Sequence, residues 1–356
     1  MNFRKILLLT LASGLFFSSC SDDDDPINLP LGDYEKGVLI LNQGNFGGGN
    51  SSISFLSSDF TIFQNNAFGA VNPSIILGDT GQDIGFYQDK AFVVMNLSNS
   101  IQVINRYTLE HITTISSGLD NPRYIAFADG KGFVTNWGAG SNDEDDFVAV
   151  LNLTSYTVSS NIPVVEGPER IIAENGTLYV AHQGGFGYGQ TVSVISSATN
   201  SVTASIPVGD VPNSLFIENN MLYVLAGGKP SWTNDETAGK LTKIELSTNS
   251  VSSTIDFTTS EHPSNLVKKD EELYYTVDSS IYKTSIMAIS LPSTPFFSTT
   301  AQGVYGVYSF AVEDNKIYVG DAGDYNSNGK IYVYSLSGDL MTEQTVGVIP
   351  GGFYFN

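Results

Sequence analysis

The chain has 356 residues, of which 37 are acidic and 16 are Lys or Arg, giving a formal net charge of −21 and a pI near 4.2. That balance excludes nucleic-acid binding, which needs clustered cations, and the single cysteine, Cys20, excludes a disulfide framework. Plentiful Tyr and Phe, with β-branched runs punctuated by Gly, Asn and Asp, predict an all-β fold long enough to bury a large core.

The first twenty residues, "MNFRKILLLTLASGLFFSSC", have a positive start at Arg4 and Lys5, an apolar run from Ile6 to Phe17, and small Ser18 and Ser19 before Cys20. This is a secretion signal, too short and wrongly flanked for a membrane span. Cys20 is either incidental to an ordinary signal peptide or the lipidated residue of a lipobox, and its being the only cysteine favours lipidation. "SDDDD" follows, Ser21 to Asp25. It reads as a solvated linker, and it also resembles the surface-export signal of Bacteroidota lipoproteins. The expected organisation is signal 1–20, acidic flexible linker 21–36, and one domain over 37–356. No other stretch is apolar enough to cross a bilayer.

A repeat then runs to the end of the chain. One unit, "GPERIIAENGTLYVAHQGGFGYGQTVSVISSATNSVTASIPVG" (167–209), holds four strand-like runs, A to D, joined by Asn/Gly turns. The end of strand B is marked by Asn42, Asn96, Asn136, His182, Ala226, Val277 and Asp321, in steps of 54, 40, 46, 44, 51 and 44 residues. That spacing predicts seven four-stranded antiparallel blades of a β-propeller. The first unit, "GVLILNQGNFGGGNSSISFL", starts at strand B, and the tail "GVIPGGFYFN" has the form of the missing strand A. The C-terminal strand is therefore expected to pair inside the first blade and close the ring, leaving no long exposed edge. No segment carries a helical period.

In such a ring the D–A and B–C connections share one face. The A–B turns are short and plain, whereas the B–C loops are Gly-rich and aromatic: "QGNFGGGN", "WGAGSNDEDD", "QGGFGYGQ", "GGKPSWTNDETAG" and "DAGDYNSNG". Phe46, Trp137, Phe186, Tyr188, Trp232 and Tyr325 lie in them. Singly, each ring could plug its own loop; as a set they predict a recognition surface on scaffolded loops. The D–A openings add Gln82, Asp83, Asn121, Arg123, Glu169, Arg170, Asn213, Asn265 and Tyr308. Arg123 and Arg170 stand out because cations are scarce, although either could pair with an acid such as Glu169. The predicted ligand-binding set is Phe46, Arg123, Trp137, Arg170, His182, Phe186, Tyr188, Asn213, Trp232 and Tyr325.

Metal signals are thin. "DYNSNG" begins like a calcium loop, offering Asp324, Asn326 and Asn328, but its twelfth position is Ser335 instead of Glu. Calcium is thus possible and no cofactor is required. The acidic run 142–146 could also hold calcium, yet such runs are mostly solvated. His182 and His262 without a third ligand make a poor zinc site. There is no nucleophile elbow, HExxH, P-loop or cysteine nucleophile.

The pattern P-x-x-I-A, G-x-x-Y-V, V-x-V-I, I-x-V-G resembles the YVTN-type, or YncE-like, seven-bladed propellers over about residues 37–356. With the lipobox and the "GVLILNQGNFGGGNSSISFL" opening, the chain is similar to the vitamin B12-capturing propeller lipoproteins of gut Bacteroidota. That resemblance implies a lipid-anchored, outward-facing outer-membrane protein that is not an enzyme. It further implies capture of a corrinoid or another scarce nutrient on the loop face and delivery to a TonB-dependent transporter. Propellers host many activities, so a lactonase- or lyase-type enzyme with a central metal, and an adhesin or protein-interaction platform, stand as alternatives.

Overall fold

A computed structural model describes residues 30–142, 144–185 and 187–356; the signal segment, Cys20, the acidic run after it, and Phe186 lie outside the described residues. Seven separate four-stranded antiparallel sheets form the blades of a propeller. The second to sixth blades start at Gly81, Pro122, Pro168, Pro212 and Ser264, and the seventh runs from Ser309 to Val348. The first is built from Pro350–Phe355, Gly37–Asn42, Ser52–Ser57 and Phe63–Gln64. The C-terminal strand therefore closes the ring as expected, pairing Val38 with Phe355 and Ile40 with Phe353. Arg106 clamps this closure from the second blade. It stacks on Phe86 at 3.7 Å and donates to the Asn356 side chain (2.8 Å) and the Phe355 carbonyl (3.2 Å).

The B strands end at Asn42, Asn136, His182, Ala226, Val277 and Asp321, and in the second blade at Met95, one residue before Asn96. These strands read as unbroken apolar runs because both faces are covered. Val38 and Ile40 pack toward the seventh blade while Leu39 and Leu41 pack toward the second. The core is thus seven aliphatic and aromatic layers between neighbouring blades, not one centre. The outer D strands are largely exposed, as in Thr157–Pro163, where Ile162 alone is buried.

Two features depart from the sequence expectation. Tyr34, assigned to the flexible linker, is buried edge-on against Phe55 at 5.1 Å, and its amide donates to the Tyr107 carbonyl. A short helix, Ala67–Val71, lies between the first two blades, capped by Asn66 and seated on buried Phe68. Among the described residues no helix is long and apolar enough to cross a membrane.

Candidate functional site

In six of the seven blades the pairing of strand A with strand B slips near the start of strand A. In the third blade Pro122 faces Asn136 and Ile125 faces Val134, so two residues on one strand span a gap filled by one on the other. Such a bulge re-aims side chains. Here it turns Arg123 and Tyr124 inward, and the same slip turns Glu169 and Arg170, Asn213, Asn265, Gln82 and Gly351 to the axis. They line a cavity of about 690 Å3 to which all seven blades contribute. The seventh supplies Tyr308 without a bulge.

The cavity is polar and mostly pre-paired. Arg123 forms a bidentate ion pair with Glu169, both bonds 2.8 Å, and its guanidinium lies 4.0 Å over the Trp137 ring. Trp137 in turn donates its indole N–H to the Pro168 carbonyl at 3.1 Å. Asp83 is buried, and its two oxygens accept the Ile125 amide (3.0 Å) and the Tyr354 hydroxyl (3.1 Å). Burial pushes its carboxyl up to about 6, eased by those donors and by Arg170. Tyr308 donates to Gln43 at 2.8 Å, and burial pushes its phenol up to about 12. Arg170 differs from Arg123. Its guanidinium lies 4.2 Å over the Tyr124 ring, and among the described residues it makes neither a hydrogen bond nor an ion pair.

The structure brings five of the predicted ligand-binding residues to this cavity: Phe46, Arg123, Trp137, Arg170 and Asn213. Tyr325 stands next to it, edge-on to Tyr308 at 5.7 Å and half exposed. Tyr188 and Trp232 are exposed on loops of the same face but do not line the cavity. Phe46 and Trp232 are 81% and 78% exposed, which leaves both free to meet a ligand. His182 is a correction. It is fully buried at the strand end, with Nε2 2.8 Å from Ser193 Oγ and Nδ1 3.3 Å from the Glu166 carbonyl, and burial lowers its imidazole to about 4. It packs as Asn42 and Asn136 do at the matching positions. Gln43 and Gln183 line the cavity and were not singled out in the sequence; both follow a strand-B end and precede Gly, as "NQG" and "HQG".

The calcium loop does not close. Asn328 already begins the strand Asn328–Ser335, so Ser335 lies at its far end, roughly 20 Å away at strand rise. Asp324 instead accepts the Asn326 and Ser327 amides at 2.9 and 2.7 Å, as an Asx turn. His262 contacts the Gly227 carbonyl and Glu236, apart from His182. Among the described residues no three His, Cys, Asp or Glu side chains converge on a metal position.

The family described as "Domain of unknown function (DUF5074)" matches residues 36–355, and the chain belongs to it. No curated protein matches the sequence. Solved structures are similar in fold at low identity. A quinonprotein alcohol dehydrogenase-like protein from Bacteroides thetaiotaomicron aligns with a TM-score of 0.64 at 15% identity, over 90% of this chain and 78% of that one. A functionally unknown protein from Desulfotomaculum acetoxidans aligns at 0.62 and 12%, over 90% and 99%. Apo AztD from Citrobacter koseri aligns at 0.54 and 10%, over 89% and 96%.

Proposed function

We propose that this member of the DUF5074 family is a non-enzymatic capture protein. It binds a bulky scarce nutrient over its central cavity, with a corrinoid as the leading candidate. In this reading Cys20 is acylated, and the protein sits on the outer membrane facing outward. There it hands its ligand to a TonB-dependent transporter. The observation that carries the reading is one cavity of about 690 Å3, lined by all seven blades, with exposed aromatic rings standing on the loops around it. The volume lies within the range of small-molecule sites. Rings held on rigidly scaffolded loops offer contact area at little entropic cost. Glu169, the carboxylate that lines the cavity, and the buried Asp83 next to Gln82 in the chain are already held by donors, which suits binding better than acid–base work.

Calorimetric titration of the purified protein with cobalamin and cobinamide, metal-free and calcium-loaded, tests this. Tight binding that weakens at least tenfold in Trp232→Ala or Phe46→Ala is the expected result. No heat with either corrinoid in either sample sinks the corrinoid assignment. Trp137→Ala is a poorer probe, because Trp137 also supports Arg123.

A further inference from the structure

We propose that the central cavity recognises an oxyanion, a carboxylate or phosphoryl group of its ligand, through the guanidinium of Arg170. This deepens the capture reading of the same site and rests on it for the rest of the ligand, though not for the anion. Glu169 is saturated by the two-point fork of Arg123. Asp83 holds one donor on each oxygen, and its charge and that of Arg170 stabilise each other through space without a direct contact among the described residues. Arg170 lines the cavity, has one face laid on Tyr124, and among the described residues spends none of its five N–H donors.

Burial disfavours the charge of Arg170, but the field of Tyr124, Asp83, Tyr354 and Glu169 more than offsets it, so the guanidinium stays charged with its donors open to an acceptor in the cavity. A planar fork fixed by stacking fits a two-oxygen acceptor. The stack on Tyr124 is itself held, because the Tyr124 hydroxyl accepts from Gln82 at 3.0 Å. Gln183, from the same blade as Arg170, also lines the cavity.

The test exploits the two tryptophans of the chain. Trp232→Phe leaves Trp137, which lines the cavity, as the sole indole reporter. The full chain carrying Trp232→Phe is titrated with inorganic phosphate and, separately, with acetate, against potassium chloride of equal ionic strength. Saturable quenching in the millimolar range with at least one of the two, beyond the chloride control, is expected; which one responds tells phosphoryl from carboxylate. Adding Arg170→Gln should weaken it at least tenfold, and Arg170→Lys should weaken it severalfold by removing the fork while keeping the charge. Glu169→Gln should tighten it severalfold by releasing Arg123. The Lys and Glu169 variants keep the test decisive if Arg170→Gln fails to fold. No saturation above chloride with either anion, or equal affinity in the Arg170 variants, overturns the proposal. Neither result bears on whether corrinoids bind, which the calorimetry reads separately.

Discussion

Asp83 and His182 are buried titratable groups displaced in opposite senses, and the pair makes a quantitative pH prediction. The Asp83 carboxyl sits at about 6 in the folded state against about 3.9 in an unfolded chain. The native state therefore binds the proton more tightly, and this group lowers stability as pH rises between those values. His182 sits at about 4 when folded against about 6.5 unfolded. Here the unfolded state binds the proton more tightly, and stability is lost as pH falls through that window. Linkage between pH 7.5 and 4.5 gives a loss of about 2.5 kcal/mol from His182 and a gain of about 2 kcal/mol from Asp83, which nearly cancel. Asp83→Asn keeps an acceptor for the Ile125 amide and removes the titration. His182→Asn places at the fourth blade the residue that the first and third already carry. Urea unfolding from pH 4.5 to 7.5 should show the two variants diverging from the parent in opposite directions. Asp83→Asn should lose about 2 kcal/mol more on acidification than the parent, and His182→Asn about 2.5 kcal/mol less. Curves that stay parallel to the parent across that range would refute the burial argument for both groups.

Two further outcomes concern the ring. Deleting residues 350–356 removes the first blade's inner strand, the Tyr354 hydroxyl that holds Asp83, and the anchor of Arg106. Ladder bonds at about 1 kcal/mol each and two half-buried phenylalanines sum to a loss of about 5 kcal/mol or more, so the truncated protein should melt well below the full chain or fail to stay soluble; an unchanged melting temperature would mean the closure contributes nothing. Gly167→Ala should cost about 3 kcal/mol or more, since the backbone there has φ +65° and a Cβ would overlap the backbone of Gly184 and Gly185. The check is a urea midpoint beside that of Gly47→Ala, which has a similar φ but open space around it.

Blade number, strand-B ends and ring closure were legible in the sequence because they rest on short apolar runs, turn residues and a repeat spacing that can be counted along the chain. The strand runs Gly37–Asn42 and Thr177–His182 are apolar on both faces only because each blade is covered on two sides, and that follows from repetition alone. The short helix Ala67–Val71 was not legible. Five residues carry no readable period, and this segment is held by its Asn66 cap and by the burial of Phe68. Tyr34 was misjudged for a similar reason, since only tertiary packing distinguishes it from the acidic segment before it.

The inner face shows where local reading ends. A strand A of regular pleat would send Arg123 and Tyr124, or Glu169 and Arg170, to opposite sides. The repeated slip beside Pro122 and Pro168 turns both members of each pair to the axis instead. Proline has no N–H to give a ladder and so stands where pairing lapses. The sequence thus carried a mark for the bulge, the recurrent Pro immediately before the inward pairs 123–124, 169–170 and 213–214, but not its geometry. That same device explains why Arg123 and Arg170 differ in chemistry: Arg123 holds the first inward place of its blade, the place of Glu169 in the next, whereas Arg170 holds the second, the place of Tyr124. Arg123 meets the acid that the next blade's bulge presents, Glu169. Arg170 lies instead over Tyr124, its counterpart in the blade before, and the blade after it presents Asn213 and Ser214, neither able to neutralise a cation. The lack of a direct ion pair at Arg170 among the described residues therefore follows from its second place in the bulge, and the proposed anion preference of the cavity rests on that placement rather than on the fold it shares with other propellers.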